Sequence, residues 1–137
     1  MNKKLKIVLC TDKRGCMLFG GKRVSSDWLM IKDLCDSTVG KIYITAYSLP
    51  LFKDYTDRVV VSPSPIDEAE VGGTVFTESP YLKKYKEEIG ELIVYNWNRV
   101  YPLDEALDID LGEFKLVSES EFKGHSHEKI TKGIYRK

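Results

Sequence analysis

Asp27 is the residue in this chain placed to do chemistry with the least help from its neighbours. It follows Ser25-Ser26 and opens a stretch in which Trp28, Met30, Ile31, Leu34 and Cys35 recur near helical spacing. An acid there has two readings. One is a helix cap or first-turn acid that complements the helix dipole, worth about 1 kcal/mol. The other is a lone carboxylate at the mouth of an apolar pocket walled by Phe19, Trp28 and Ile31, with a raised pKa suited to binding or protonating a nitrogen heterocycle. Spacing alone favours the cap.

The remaining polar motifs are weaker. His125 and His127 stand beside Glu121 and Glu128, but two histidines without a third spaced ligand read as turn residues, and no metal site is expected. Gly15, Gly20 and Gly21 share one loop, yet their spacing fits neither phosphate-cradling glycine fingerprint. Trp97, Arg99 and Tyr101 follow an apolar run and have the types that stack RNA bases. Half-buried cross-strand packing is the commoner role for such residues.

These residues need elements to hold them. Residues 5–9 form a short apolar, β-branched run and read as a buried first strand, followed by a loop through Gly21. Residues 28–36 read as an amphipathic helix. Further strands are expected at 41–45, 58–61, 74–77 and 92–97, with a short helical turn at 48–52 broken by Pro50. Residues 81–89 read as a surface helix with Leu82, Tyr85 and Ile89 on one face. Two last strands, 114–117 and 130–135, flank the polar turn 124–127. Strands alternate with helices up to Ile89 and only strands follow. That order predicts an α/β fold with a mixed, mainly parallel sheet, flanking helices and a C-terminal antiparallel hairpin.

Composition bounds the rest. The chain has 137 residues, 42% of them apolar, which suits one domain spanning 1–137. Its 21 basic and 21 acidic residues cancel, so the basic surplus that duplex DNA or an anionic membrane would call for is absent. No apolar run approaches the ~20 residues of a membrane span. The basic start is followed by too short an apolar stretch for a signal peptide. Cys10, Cys16 and Cys35 contain no Cys-x-x-Cys pair and fit reduced thiols in a cytoplasmic protein.

Taken in order, these pieces resemble dihydrofolate reductase over nearly the whole chain. The first strand, the Gly15 loop and the acid-led helix are similar to that family's first strand, mobile active-site loop and first helix. Asp27 falls on the carboxylate with which the family holds and protonates its pterin. Residues 59–62 match a strand with a terminal serine, and residues 108–122 followed by 130–136 carry the cadence of the family's ending. The departures concern the cofactor. The loop's Pro-Trp is absent, the phosphate-facing Gly-Arg-x-Thr has become Thr45-Ala46-Tyr47-Ser48, and no Gly-Gly pair can be placed cleanly. A strand–helix unit looks deleted, and residues 92–101 match either the Gly-Gly strand or the one after it. Bulky residues where glycines admit a pyrophosphate would block it, so NADPH is not expected to bind.

The chain also resembles a set of short bacterial proteins sharing the motifs at 15–19, 25–27, 97–102 and 126–132. Some of those carry the name ribonuclease Z, whose His-x-His-x-Asp-His metal motif does not occur here.

The resemblance implies a shortened dihydrofolate reductase-like domain that binds a nucleotide or pterin-like ring without redox turnover. Asp27 would anchor the ring. Phe19, Trp28, Ile31 and Trp97 would pack near it, and Arg23, Arg99 or Lys129 would hold an acidic tail. An active NADPH-dependent reductase with a rebuilt cofactor site and an RNA-associated module are the alternatives. The expected partner is a small molecule. Nucleic acid and membrane are not expected, and monomer against homodimer stays open.

Overall fold

The computed structural model of the chain describes residues 2–23, 25–102 and 104–137. Its central strand is β1, Leu5–Thr11. Leu5, Ile7 and Leu9 pack into one core cluster and Val8 into the other, so successive side chains cover opposite faces. A strand covered on both faces reads as a nearly continuous apolar run, which is how residues 5–9 read.

Strand β2 (Cys16–Leu18) and helix α1 (Trp28–Ser37) follow, then β3 (Ile42–Ile44), β4 (Val59–Val61), the single-turn α2 (Pro65–Glu68), β5 (Thr74–Phe76), β6 (Ile89–Asn96), β7 (Glu105–Ala106), β8 (Lys115–Phe122) and β9 (Ile130–Arg136). Seven strands form one sheet in the order β4-β3-β5-β1-β6-β9-β8. The pairs β4/β3, β3/β5, β5/β1 and β1/β6 are parallel. β9 runs antiparallel to both β6 and β8. This is the mixed α/β sheet with an antiparallel C-terminal hairpin that the order of elements predicts.

Helix α1 buries Met30, Ile31, Leu34 and Cys35 against β1, β3 and β6 side chains. Trp28, expected on that apolar face, instead stands 53% exposed one turn earlier. The opposite face is closed by Met17, Leu18, Ile66, Leu82, Ile109 and Phe114.

Several local expectations are corrected. The loop after β1 contains β2, which pairs antiparallel with β7 about ninety residues later. Two and three residues are too short to show a period, so neither strand is visible in sequence. Pro50 does not break its turn: it lies inside a 3₁₀ segment, Ala46–Phe52. The surface helix expected at 81–89 is a 3₁₀ stretch, Lys83–Glu88, between the buried Leu82 and Ile89. The first strand of the C-terminal hairpin runs on to Phe122, because its partner β9 offers ladder groups along that whole length. Among the described residues no helix is long and apolar enough to cross a membrane.

Candidate functional site

The parallel strands end on the side where α1 begins, and two cavities open there, with Ser26 and Leu51 in the wall of each. The inner one is bounded by Cys10 at the end of β1, Met30 of α1, Phe76, Thr77 and Glu78 leaving β5, and Trp97 leaving β6. Clefts at the carboxyl ends of parallel strands are where open α/β sheets hold ligands, because loops diverge there and leave backbone and side chains facing a gap. The outer cavity, about 630 Å³ including its mouth, is bounded by Asp27, Trp28, Ile31, Lys53 and His125 among others.

Asp27 is the N-cap of α1. Its Oδ1 accepts from the Leu29 N–H at 3.0 Å and the His125 N–H at 2.9 Å. Its Oδ2 accepts from the Ser126 N–H at 2.9 Å and from His127 Nδ1 at 2.9 Å. The carboxylate is 3% exposed. Burial alone would raise its pKa. The hydrogen bonds from His125, His127, Ser126 and Leu29 together outweigh that and hold it at about 2. The group is an anion whose lone pairs are taken by its own chain, not the raised-pKa acid of an apolar pocket.

His127 is the other half of this cluster and the residue that sequence reasoning missed. Its imidazole is 2% exposed and stacks on Trp97 with ring centroids 4.4 Å apart and planes 17° from parallel. Nδ1 faces a carboxylate and donates to it; in the neutral imidazole that leaves Nε2 as the acceptor. Nε2 lies 2.8 Å from Ser25 Oγ and 2.9 Å from the Tyr101 hydroxyl. A histidine in a polar turn gives no local sign that it will be buried; the only signal was the dense polar cluster 124–128 itself.

Glu78, at the polar end of the inner cavity, was also not singled out. It accepts from Arg23 Nε at 2.5 Å, Arg23 Nη2 at 2.7 Å and Ser48 Oγ at 2.8 Å. Arg23 additionally donates to the Tyr47 carbonyl at 2.7 Å and lies over the Tyr47 ring at 4.2 Å. Cys10 faces Glu78 and Asp27, and burial followed by those charges pushes its thiol well above the ordinary range, so it is no thiolate.

The expected site residues divide. Arg23 and Trp97 line the inner cavity; Asp27, Trp28 and Ile31 line the outer one. Phe19 is 54% exposed, in a loop closed by backbone pairing with Lys22, and lines neither. Arg99 is exposed and takes part through its carbonyl, which accepts from the Lys13 N–H. Lys129 is exposed and pairs with Glu121 at 3.4 Å. His127 stacks on one face of Trp97, which is 5% exposed.

The seven-stranded mixed sheet with its antiparallel C-terminal hairpin is a dihydrofolate reductase-like α/β fold. Among solved structures, dihydrofolate reductase from Enterococcus faecalis, complexed with NADP(H) and RAB-propyl, superposes with a TM-score of 0.67 at 13% identity, covering 99% of this chain and 97% of that one. No family model and no curated protein sequence matches the chain.

The groove beside the inner cavity is lined by Leu18, Gly21, Thr45, Tyr47, Thr77, Glu78 and Ser79. Among the described residues its one charged group is the Glu78 carboxylate, which is paired with the Arg23 guanidinium.

Proposed function

We propose that this chain is a small-ligand-binding protein of dihydrofolate reductase-like fold, taking a flat nucleotide or pterin-like ring in its inner cavity without hydride transfer. The observation that carries this reading is the cavity's division of labour. Met17, Met30, Leu51, Phe76 and Trp97 give apolar walls, while Arg23, Ser25, Ser26, Thr77 and Glu78 give a polar end. Apolar faces with a few convergent polar groups suit a heteroaromatic ring, which is apolar above and below and polar at its edge. Asp27 contributes at one remove: with its lone pairs occupied, it fixes the wall that carries Ser25, Ser26 and His127. Glu78 then meets the ring edge, and Trp28 and Ile31 shape the outer cavity for a substituent. Glu78 also lines the neighbouring groove, where its charge would oppose a pyrophosphate.

Isothermal titration with folate, nucleotides and nucleobases tests the reading. Binding of a ring compound is expected, weakened at least tenfold in Glu78→Gln. Titration with NADPH up to millimolar concentration should leave Trp97 fluorescence unchanged. No heat with any of the ring compounds, or equal binding in Glu78→Gln, overturns the assignment; quenching by NADPH favours a working reductase instead.

A further inference from the structure

Behind the Ser25 hydroxyl in the same cavity wall, an imidazole and a carboxylate follow in series. We propose that Ser25, His127 and Asp27 form a nucleophile–base–orienter set in which Ser25 is acylated by small carboxylic esters with a short apolar acyl group, which the set then hydrolyses. Ser25 Oγ is 2.8 Å from His127 Nε2, and His127 Nδ1 is 2.9 Å from Asp27 Oδ2. Both are within the distances at which a serine can pass its proton to an imidazole and a carboxylate can stabilise the imidazolium formed. The imidazole cannot swing: Trp97 covers one face, and the Asp27 carboxylate that fixes Nδ1 is itself held by three backbone N–H groups. Ser25, unlike His127 and Asp27, lines the inner cavity, where Met17, Met30, Leu51, Phe76 and Trp97 provide room for an acyl chain. The Tyr101 hydroxyl lies 3.3 Å from Ser25 Oγ and 2.9 Å from His127 Nε2, beside the nucleophile and base.

The steps balance without any co-reactant other than water. Ser25 Oγ bonds to the carbonyl carbon as its proton moves to His127 Nε2. The ester C–O bond breaks, and the leaving alcohol takes that proton. Water then attacks the acyl-serine, giving a proton to Nε2. The carboxylic acid departs as Ser25 Oγ recovers it. Asp27 touches no substrate and is a positioning residue.

The proposal shares the cavity of the binding reading and is tested apart from it. The protein is treated with diisopropyl fluorophosphate and mapped by peptide mass, and hydrolysis of p-nitrophenyl acetate and butyrate is followed. Labelling at Ser25 is expected, and Ser25→Ala, which removes one oxygen and leaves the helix cap in place, should lose the label and at least about a hundredfold of the hydrolysis rate. Asp27→Asn should slow labelling of Ser25 by a similar factor while the Ser25 hydroxyl remains. No label, a label elsewhere, or wild-type hydrolysis by folded Ser25→Ala overturns the proposal, and with it the view that the cluster is more than a structural clamp. Ring-compound binding without labelling defeats only the acylation; labelling without ring-compound binding defeats only the ring-binding reading.

Discussion

A buried aspartate whose pKa is held at about 2 is a statement about stability as well as geometry. Its folded pKa lies below the ordinary carboxylate value of about 3.9, so the unfolded chain binds the proton more readily. The stabilisation is therefore complete above the ordinary value and lost as pH falls through about 2. The linkage amounts to about 2–3 kcal/mol, with roughly half gone by about pH 3. Urea unfolding at about pH 6 and about pH 3 should show that loss in the wild type and a smaller one in Asp27→Asn, where nothing titrates at this position; equal acid sensitivity in both would contradict it. Asp27 was legible in the sequence because caps have a local signature: short polar residues directly ahead of an apolar helical face. Its partners were not. His127 lies a hundred residues away in the chain, and nothing local distinguishes an exposed turn histidine such as His125 from one that a fold draws inward.

The same contact looks different when followed as a meeting of elements. The turn between β8 and β9 is pressed onto the first turn of α1, and Gly124 is where they touch. A Cβ there would sit 2.5 Å from Asp27 Oδ2 and 2.7 Å from Ile130 Cδ1. Neither neighbour can yield cheaply, since the carboxylate is fixed by five hydrogen bonds and Ile130 is fully buried in the core. Gly124→Ala should therefore cost about 1–3 kcal/mol by overpacking, read as a lower urea midpoint, and should displace His127 from Trp97, read as a change in Trp97 emission. An alanine variant as stable as wild type would mean that the turn stands away from the helix. Elements with many residues on a consistent period, such as β1, α1, β6 and β9, were readable in advance. Those defined by a distant partner were not: β2 and β7 exist because each completes the other, and the 3₁₀ stretch at Lys83–Glu88 tightens to connect two buried anchors, Leu82 and Ile89.

At the scale of the whole molecule, two apolar clusters are separated by one sheet and joined through it. Leu5, Ile7 and Leu9 belong to one and Val8 to the other, on consecutive positions of the same strand. The closing residues of each cluster come from far-separated parts of the chain: Met17, Leu82 and Phe114 on one face, Leu34, Phe76 and Ile130 on the other. β1 cannot lose its neighbours on one face without exposing a ladder that the other face depends on, so neither cluster should melt alone. In a Trp28→Phe variant, which removes the exposed indole, Trp97 reports the β6 end beside His127, while far-UV circular dichroism reports the sheet. The two urea transitions should coincide, and Leu9→Ala should lower both midpoints together by the equivalent of about 2–5 kcal/mol. If the Trp97 signal were to change well before the sheet, the site would be a separately stable cap over the strands' carboxyl ends, and one domain spanning residues 1–137 would be the wrong unit for its energetics.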